Sequence, residues 1–164
     1  MKKALITGFS SGIGLAYAKH LIKNDWHLDL VSQDIERSEL ALEALNSSNC
    51  RAYSCDLSSP EDLDSLMLKI STPDLIIANA GIGINGSVGK NSSKDIKDAT
   101  YLMFGGVINL IEYFLPQMKE KDAGRVVIIS SIGALIPMPK SSIYAAVKSG
   151  IYRSEEHTSE LQSL

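Results

Sequence analysis

The side chains best suited to take part in a reaction are a tyrosine and a lysine four residues apart, Tyr144 and Lys148. On a helix, residues at i and i+4 share one face, with Cβ atoms about 5–6 Å apart. An ammonium close to a phenol stabilises the phenolate and lowers the phenol's pKa from about 10. Tyr144 could therefore give a proton to a carbonyl oxygen or take one from an alcohol. Taken alone such a pair is more often an ordinary surface pair, so its surroundings decide its meaning.

Two further groups of residues could serve the same chemistry. Ser130-Ser131 ends an apolar run thirteen residues before Tyr144, and a hydroxyl at the carboxyl end of a strand can hydrogen-bond a reacting oxygen. Near the start, residues 7–14 read Thr-Gly-Phe-Ser-Ser-Gly-Ile-Gly between an apolar run and a helical pattern. Glycines there allow a tight turn and a close approach to a pyrophosphate, which a helix N-terminus can bind.

The elements that must position these groups alternate between strand and helix along the chain. Strands are predicted at Lys3–Thr7, Leu28–Ser32, Arg51–Cys55, within Asp74–Asn79 and at Arg125–Ser130. Helices are predicted from Ile13, over Asp34–Leu45, after Ser59 and Pro60, from about Ile96 to Lys119, and from near Ser142. This alternation predicts an α/β fold, a doubly wound parallel sheet with right-handed crossovers.

The order of these motifs resembles the short-chain dehydrogenase/reductase family over residues 3–152. The resemblance rests on the glycine turn, on Asn79-Ala80-Gly81 after the fourth strand, on Ser131, and on Tyr144 with Lys148. It implies a Rossmann-like sheet with strand order 3-2-1-4-5. It also implies hydride transfer between a nicotinamide cofactor and the carbon of a small carbonyl or alcohol substrate.

The resemblance further implies a role for each site residue. Tyr144 would be the proton donor or acceptor, Lys148 would bind the nicotinamide ribose and lower the tyrosine's pKa, and Ser131 would position the substrate oxygen. No metal ligand is implied. The cofactor contacts would be Gly8, Ser10, Ser11, Gly12, Ile13, Gly14, Ser32, Gln33, Asp56, Leu57, Asn79, Ala80, Gly81, Tyr144 and Lys148.

The end of the second strand bears on the choice between NAD and NADP. An acid at this point would bind the ribose hydroxyls of NAD, but Ser32 stands there, followed by Gln33 and Asp34. Ser32 does not repel a 2′-phosphate, and the sequence places no arginine there to attract one. These residues slightly favour NADP, and Asp34 could serve NAD if the turn brings it inward.

One position departs from the family pattern. The family has an asparagine on the long helix, and here Gly106 together with Leu115-Pro116-Gln117-Met118 places that position at Met103. A methionine cannot supply an amide or hold the water that relays protons to the lysine. We expect a weakened proton relay with cofactor binding retained. Asn109 occupies a different family position.

The length of the chain is a second departure, since the family runs to roughly 250 residues and this chain has 164. We expect strands 6 and 7, the loop covering the substrate and part of the family's dimer helix to be lacking. The 164-residue piece is then expected to be inactive, with its fifth strand an aggregation-prone edge. The full-length protein is expected to form a homodimer or homotetramer.

The sequence divides into one incomplete NAD(P)-binding domain, residues 1–152, and a tail, residues 153–164. The tail loses the apolar periodicity before it and matches the in-frame translation of a sequencing-library adapter. It is expected to be non-native and to take no part in the fold.

Composition excludes several classes of function. A hydrophobic fraction of 45%, a charged fraction of 21% and a net charge of −3 are ordinary for a globular protein, without a basic patch for nucleic acid. No apolar run reaches the ~20 residues that span a bilayer, and the N-terminal apolar stretch is too short for a signal peptide, so the cytoplasm is expected.

Two alternatives stay open, a non-catalytic nucleotide-binding protein of the same fold and a methyltransferase. The Ser, Tyr and Lys set argues against both, whereas Met103 mildly favours the first.

Overall fold

The computed structural model describes residues 1–136 and 138–154. Most of the expected non-native tail, residues 155–164, therefore lies outside the described residues. The strands are β1 (Lys3–Thr7), β2 (His27–Ser32), β3 (Cys50–Ser54), β4 (Leu75–Ala78) and β5 (Arg125–Ile128). The α-helices are α1 (Gly12–Ile22), α2 (Ile35–Leu45), α3 (Pro60–Met67), α4 (Ser93–Thr100), α5 (Gly106–Glu120) and α6 (Ser142–Arg153).

The strands form one five-stranded sheet in the order β3-β2-β1-β4-β5, and every neighbouring pair is parallel. The predicted doubly wound architecture and strand order are confirmed. Among the described residues there are no strands beyond these five. Because all strands run the same way, their carboxyl ends meet at one edge of the sheet, where this type of fold binds ligands.

The middle of the sheet is buried on both faces, as helices on each side of a parallel sheet require. Ala4, Leu5 and Ile6 of β1 and the whole of β4 are shielded from solvent. On one face, α3 and α5 pack with Leu63, Leu110 and Phe114 over Leu5 and Ile76. On the other face, α1 and α2 pack with Ala18, Leu21 and Ala41 over Ala4 and Ile77.

The first turns of two helices begin as the sequence predicts. The side chain of Ser59 accepts a hydrogen bond from the Asp62 amide at 3.2 Å, with Pro60 in the first turn of α3. The Asp34 carboxylate accepts one from the Arg37 amide at 3.0 Å and caps α2. Both caps satisfy amide groups that the first turn of a helix leaves without an intrahelical partner.

The long helix expected from about Ile96 to Lys119 is present as an unbroken helical stretch from Ser93 to Glu120, but it is not α-helical throughout. It begins at Ser93 because Ser92 and Asp95 form a reciprocal capping box. A π-helical turn at Tyr101–Gly105 then separates α4 from α5. Close backbone packing accompanies this turn, since a Cβ on Gly106 would lie 3.0 Å from the Tyr101 carbonyl oxygen.

The fifth strand ends at Ile128, two residues before the predicted end. Ser130 and Ser131 therefore lie in the segment after the strand and not within it. β5 is also the outermost strand on its side of the sheet and its residues are partly exposed. The expected tendency of this edge to aggregate stays a prediction.

None of the helices in residues 1–136 and 138–154 combines the length and the apolar character that a bilayer crossing needs.

Removal of a buried aromatic ring from the core should destabilise the folded state. Phe114 is fully buried between α5 and the sheet, so Phe114→Ala leaves a cavity and should lower the free energy of unfolding by about 3–5 kcal/mol. Leu40→Ala is the control, because Leu40 is 66% exposed on α2 and should change that quantity by no more than about 0.5 kcal/mol. Urea unfolding measures both, and equal effects would contradict the packing described here.

Candidate active site

The turn between β1 and α1 has a backbone that only small residues allow. Gly8 and Gly12 have φ values of +68° and +55°, a region that glycine enters without strain. A Cβ on Gly8 would lie 2.8 Å from Ala80 Cα, and one on Gly14 would lie 2.3 Å from the Gly8 carbonyl oxygen. At Gly12, by contrast, no described atom comes within 4 Å of a Cβ position. The turn is thus closely packed underneath and open in front of the N-terminus of α1.

Asn79 joins this turn to the segment that follows β4. Its Nδ2 donates to the carbonyl oxygens of Thr7 at 3.1 Å and Gly8 at 2.9 Å. In return the Thr7 hydroxyl accepts hydrogen bonds from the amides of Asn79 at 3.0 Å and Ala80 at 3.1 Å. Four hydrogen bonds therefore hold the ends of the two central strands in one arrangement.

A cavity of about 730 Å³ opens along this edge of the sheet. It contains almost all the predicted cofactor contacts, with Gly14 packed beneath the turn and Tyr144 and Lys148 in a neighbouring cavity. Its lining residues are Gly8, Ser10, Ser11, Gly12, Ile13, Ser32, Gln33, Asp34, Arg37, Cys55, Asp56, Leu57, Ser58, Asn79, Ala80, Gly81, Ile82, Lys94, Asp98 and Leu102.

Arg37 is a cationic lining residue that the sequence analysis missed. Its Nε lies 3.2 Å from Asp34 Oδ2, while the other carboxylate oxygen of Asp34 accepts the Arg37 amide. The expectation that no arginine stands near the end of β2 to attract a phosphate is therefore wrong. The first turn of α2 places Arg37 beside Asp34, the N-cap residue of that helix. The spacing of an N-cap aspartate and an arginine three residues later was the available signal. Ser32 lies beside them and donates to Ser10 Oγ at 3.2 Å.

A second cavity of about 350 Å³ lies next to the first, and the two share Ile13, Asn79, Gly81 and Ile82. Tyr144, Lys148 and Ser130 all line it, as do Gly83, Asn85, Ile129, Met138 and Ser141. The two cavities are therefore contiguous, and the Tyr-Lys pair stands at the end away from Arg37.

Lys148 is held inside the protein and is only 6% exposed. Its Nζ donates to the Ile129 carbonyl oxygen at 2.8 Å and lies 6.0 Å from the centre of the Tyr144 ring. Burial lowers the pKa of Lys148 from its ordinary value, since a low-dielectric site disfavours the ammonium. A phenolate at Tyr144 is the kind of group that would stabilise this charge.

Ser131 and Tyr144 approach each other around Gly133. A Cβ on Gly133 would lie 3.5 Å from Ser131 Oγ and 3.6 Å from Tyr144 Cε1. Ser131 Oγ accepts a hydrogen bond from the Gly133 amide at 3.1 Å. Ser131 is not among the residues lining the second cavity, whereas Ser130 is, and Ser130 donates to the Lys148 carbonyl oxygen at 3.4 Å.

Met103 lies in the π-helical turn and is almost fully buried. It packs in an apolar cluster with Ile84, Ala99 and Val147, and Tyr144 packs against the same cluster. Its sulfur would lie 3.3 Å from a Cβ on Gly81. The position thus supplies packing beneath the second cavity.

Asn109, on α5, does not replace the amide absent at position 103. Its Nδ2 donates to the Tyr101 hydroxyl at 3.0 Å in an exposed position. The expectation that it occupies a different position from the family asparagine stays a prediction.

Comparison with known proteins identifies the class. A family model described as short chain dehydrogenase matches residues 2–160. Fatty acyl-CoA reductase from Acinetobacter baylyi is 33% identical over 158 residues, which cover 92% of this chain and 54% of that protein. The chain belongs to the short-chain dehydrogenase family.

Solved structures agree with this assignment. The bulky-bulky ketone specific alcohol dehydrogenase from Comamonas testosteroni superposes with a TM-score of 0.91 at 25% identity, over 99% of this chain and 68% of that one. A short-chain dehydrogenase from Sphingobium yanoikuyae in complex with NADPH gives a TM-score of 0.88 at 25% identity, over 99% and 67%. The chain spans about half the length of the curated relatives it matches.

The large cavity fits a dinucleotide on its own geometry. The open space in front of Gly12 lies at the N-terminus of the 11-residue helix α1, where free amides and the helix dipole favour phosphate. Ser10 and Ser11 would add hydroxyls to that phosphate site, and Asp56 and Leu57 would border the adenine end.

The buried ammonium predicts a pH-dependent stability difference. Because the folded pKa of Lys148 lies below its ordinary value of 10.5, the folded state loses this proton before the unfolded chain does. The stability of the parent relative to Lys148→Met should therefore rise as the pH increases through the lowered pKa towards 10.5.

Chemical unfolding at several alkaline pH values measures this difference. Lys19→Met, at an exposed position on α1, controls for the loss of a lysine as such. A difference between parent and Lys148→Met that falls with pH would show that Lys148 is not buried in the way described.

Met103→Asn tests the departure from the family. In the full-length gene product, the new amide should restore the proton relay and raise kcat. It should also lower the melting temperature, because a polar group enters an apolar cluster. Turnover assays and thermal unfolding measure the two effects, with Met103→Leu as the apolar control, and a variant no faster than the parent would refute the relay.

Proposed function

We propose that this chain is the cofactor-binding and catalytic part of an NAD(P)-dependent oxidoreductase that acts on a small carbonyl or alcohol. The observation that carries this proposal is the contiguity of the two cavities. One cavity has the features of a dinucleotide site, and the other presents a phenol beside a buried ammonium. The family membership of the chain supports the same reaction class.

Each site residue has a definite part in this proposal. The nicotinamide, when bound, supplies or accepts the hydride. Tyr144 gives a proton to the substrate oxygen during reduction and removes one during oxidation. Lys148, whose Nζ lies 6.0 Å from the centre of the Tyr144 ring, holds the nicotinamide ribose. The Ser131 hydroxyl hydrogen-bonds the same substrate oxygen.

The end of the large cavity near α2 supports NADP over NAD. Arg37 places a guanidinium there, and Ser10 and Ser32 add hydroxyls without a negative charge. Asp34 remains the residue that could serve NAD, but both its carboxylate oxygens already contact Arg37. A similar structure contains NADPH.

A further part of the proposal concerns the whole protein. The full-length product would be a cytoplasmic homodimer or homotetramer that binds neither nucleic acid nor membrane.

The proposed reaction is tested with the full-length gene product, NADPH and a panel of aldehydes and ketones, by following absorbance at 340 nm. Tyr144→Phe removes only the hydroxyl and should lower kcat by about 10²- to 10⁴-fold, the usual contribution of general acid catalysis. NADPH binding, measured by fluorescence, should change little. Tyr113→Phe, which removes a hydroxyl from α5 outside both cavities, is the matched control.

The same assay distinguishes the alternative, a non-catalytic nucleotide-binding protein, which Met103 favours because it removes the relay amide. That protein would bind NADPH, and its NADPH absorbance would not fall with any carbonyl. Repeating the kinetics with NADH decides the cofactor, for which we expect the higher kcat/KM with NADPH.

A further inference from the structure

Two hydrogen bonds join two segments that border the second cavity. The Ser141 hydroxyl donates to Asn85 Oδ1 at 2.9 Å, although 56 residues separate them in sequence. Beside it, the Gly86 amide donates to the Lys140 carbonyl oxygen at 2.7 Å. One wall is the segment that follows β4, and the other is the segment that leads into α6.

The hydroxyl of Ser141, like that of Ser11 at the start of α1, does not cap the helix that follows it. Ser141 is the N-cap residue of α6, yet its side chain makes no capping hydrogen bond to that helix. Ser59 and Ser92, the N-cap residues of α3 and α4, both make one. A serine at an N-cap is ordinarily favoured for that bond. The buried hydroxyl of Ser141 is instead directed at Asn85.

The backbone next to this contact is also constrained. Lys140 has a φ of +58°, a left-handed conformation that a residue with a side chain adopts only when its surroundings hold it. That conformation places the Lys140 carbonyl against the Gly86 amide. Side chain and backbone therefore join the two walls independently.

The contact lies one helical turn from the reacting group. Tyr144 follows Ser141 by three residues in the first turn of α6, and Asn85, Ser141 and Tyr144 all line the second cavity. Neither Asn85 nor Ser141 lines the large cavity. A change at this pair should therefore move the phenol relative to the substrate and leave the dinucleotide site as it is.

We propose that Asn85 and Ser141 form a positioning pair, which holds the first turn of α6 against the segment after β4 and so sets the place of Tyr144 in the substrate cavity. This inference rests on the proposed function. Both residues act through Tyr144, and no proton passes through them.

The test compares two variants of equal shape in the full-length gene product. Ser141→Thr keeps the hydroxyl, and Ser141→Val replaces it with a methyl group. We expect kcat to fall about 10- to 100-fold in Ser141→Val, the effect of misplacing a catalytic group by about 1 Å. Ser141→Thr should stay within about threefold of the parent by the same reasoning. The KM for NADPH should change in neither variant.

Further variants keep the test decisive if the extra methyl group at the buried position 141 prevents folding. Asn85 is exposed, so Asn85→Leu should fold, and it should lower kcat as Ser141→Val does. The double variant should be no slower than either single variant, because both remove the same contact. Thr72→Val is the control, since it removes a hydroxyl bonded to Gln117 on α5, outside both cavities.

Each result has one meaning. A parent that consumes no NADPH with any carbonyl overturns the proposed function, and with it this role for the pair. An active parent with unchanged kcat in Asn85→Leu overturns the positioning pair alone. A loss of kcat that is accompanied by a higher KM for NADPH also overturns it, because the pair would then be supporting the whole fold.

Discussion

The amide of Asn79 and the hydroxyl of Thr7 make the contact on which the site depends. The side-chain amide of Asn79 donates to the carbonyl oxygens of Thr7 and Gly8. The Thr7 hydroxyl accepts from the backbone amides of Asn79 and Ala80, so four hydrogen bonds link the ends of β1 and β4. Buried backbone groups that lose their partners are costly, so this arrangement fixes the path of the glycine turn. Both cavities border on it, since Asn79 and Gly81 line each of them. The residues held by these hydrogen bonds therefore form part of the wall that the two cavities share.

Lys148 shows how the interior of the protein prepares the chemistry. No carboxylate among the described residues forms an ion pair with this ammonium, and its hydrogen bond goes to the neutral carbonyl of Ile129. A buried cation without a counter-charge is unstable, and the phenolate of Tyr144 would relieve that instability. Burial lowers the pKa of Lys148 for the same reason, since a low-dielectric site disfavours the ammonium.

The second cavity has an apolar cluster beneath it and a hydrogen bond between two of its lining residues. Met103, Ile84 and Val147 form the cluster against which Tyr144 packs. Packing alone permits small displacements, because dispersion contacts have little directionality. The hydrogen bond between Asn85 and Ser141 supplies a directional constraint at the other end of the first turn of α6. The π-helical turn brings Met103 into this cluster and so belongs to the site as much as to the fold.

The sequence by itself determined the elements and their order, and it named the candidate site residues. Apolar runs and helical spacing are local signals, so β1, β4 and the N-terminus of α3 were predicted to within a residue or so. The chemistry of Tyr144 and Lys148 followed from spacing on one helix. Local signals did not predict the π-helical turn, because the apolar pattern continues through it with the spacing of an α-helix.

Only the tertiary structure decided which distant groups meet. It placed Arg37 in the large cavity, directed Ser130 to the Lys148 carbonyl, and paired Ser141 with Asn85. Each of these contacts depends on how α2, β5 or α6 packs on the sheet, and chain spacing carries no information about that packing. Local rules predict that a serine at an N-cap position accepts a hydrogen bond from the first turn of its helix. The Ser141 hydroxyl instead donates to Asn85, because the tertiary fold brings these two distant residues together.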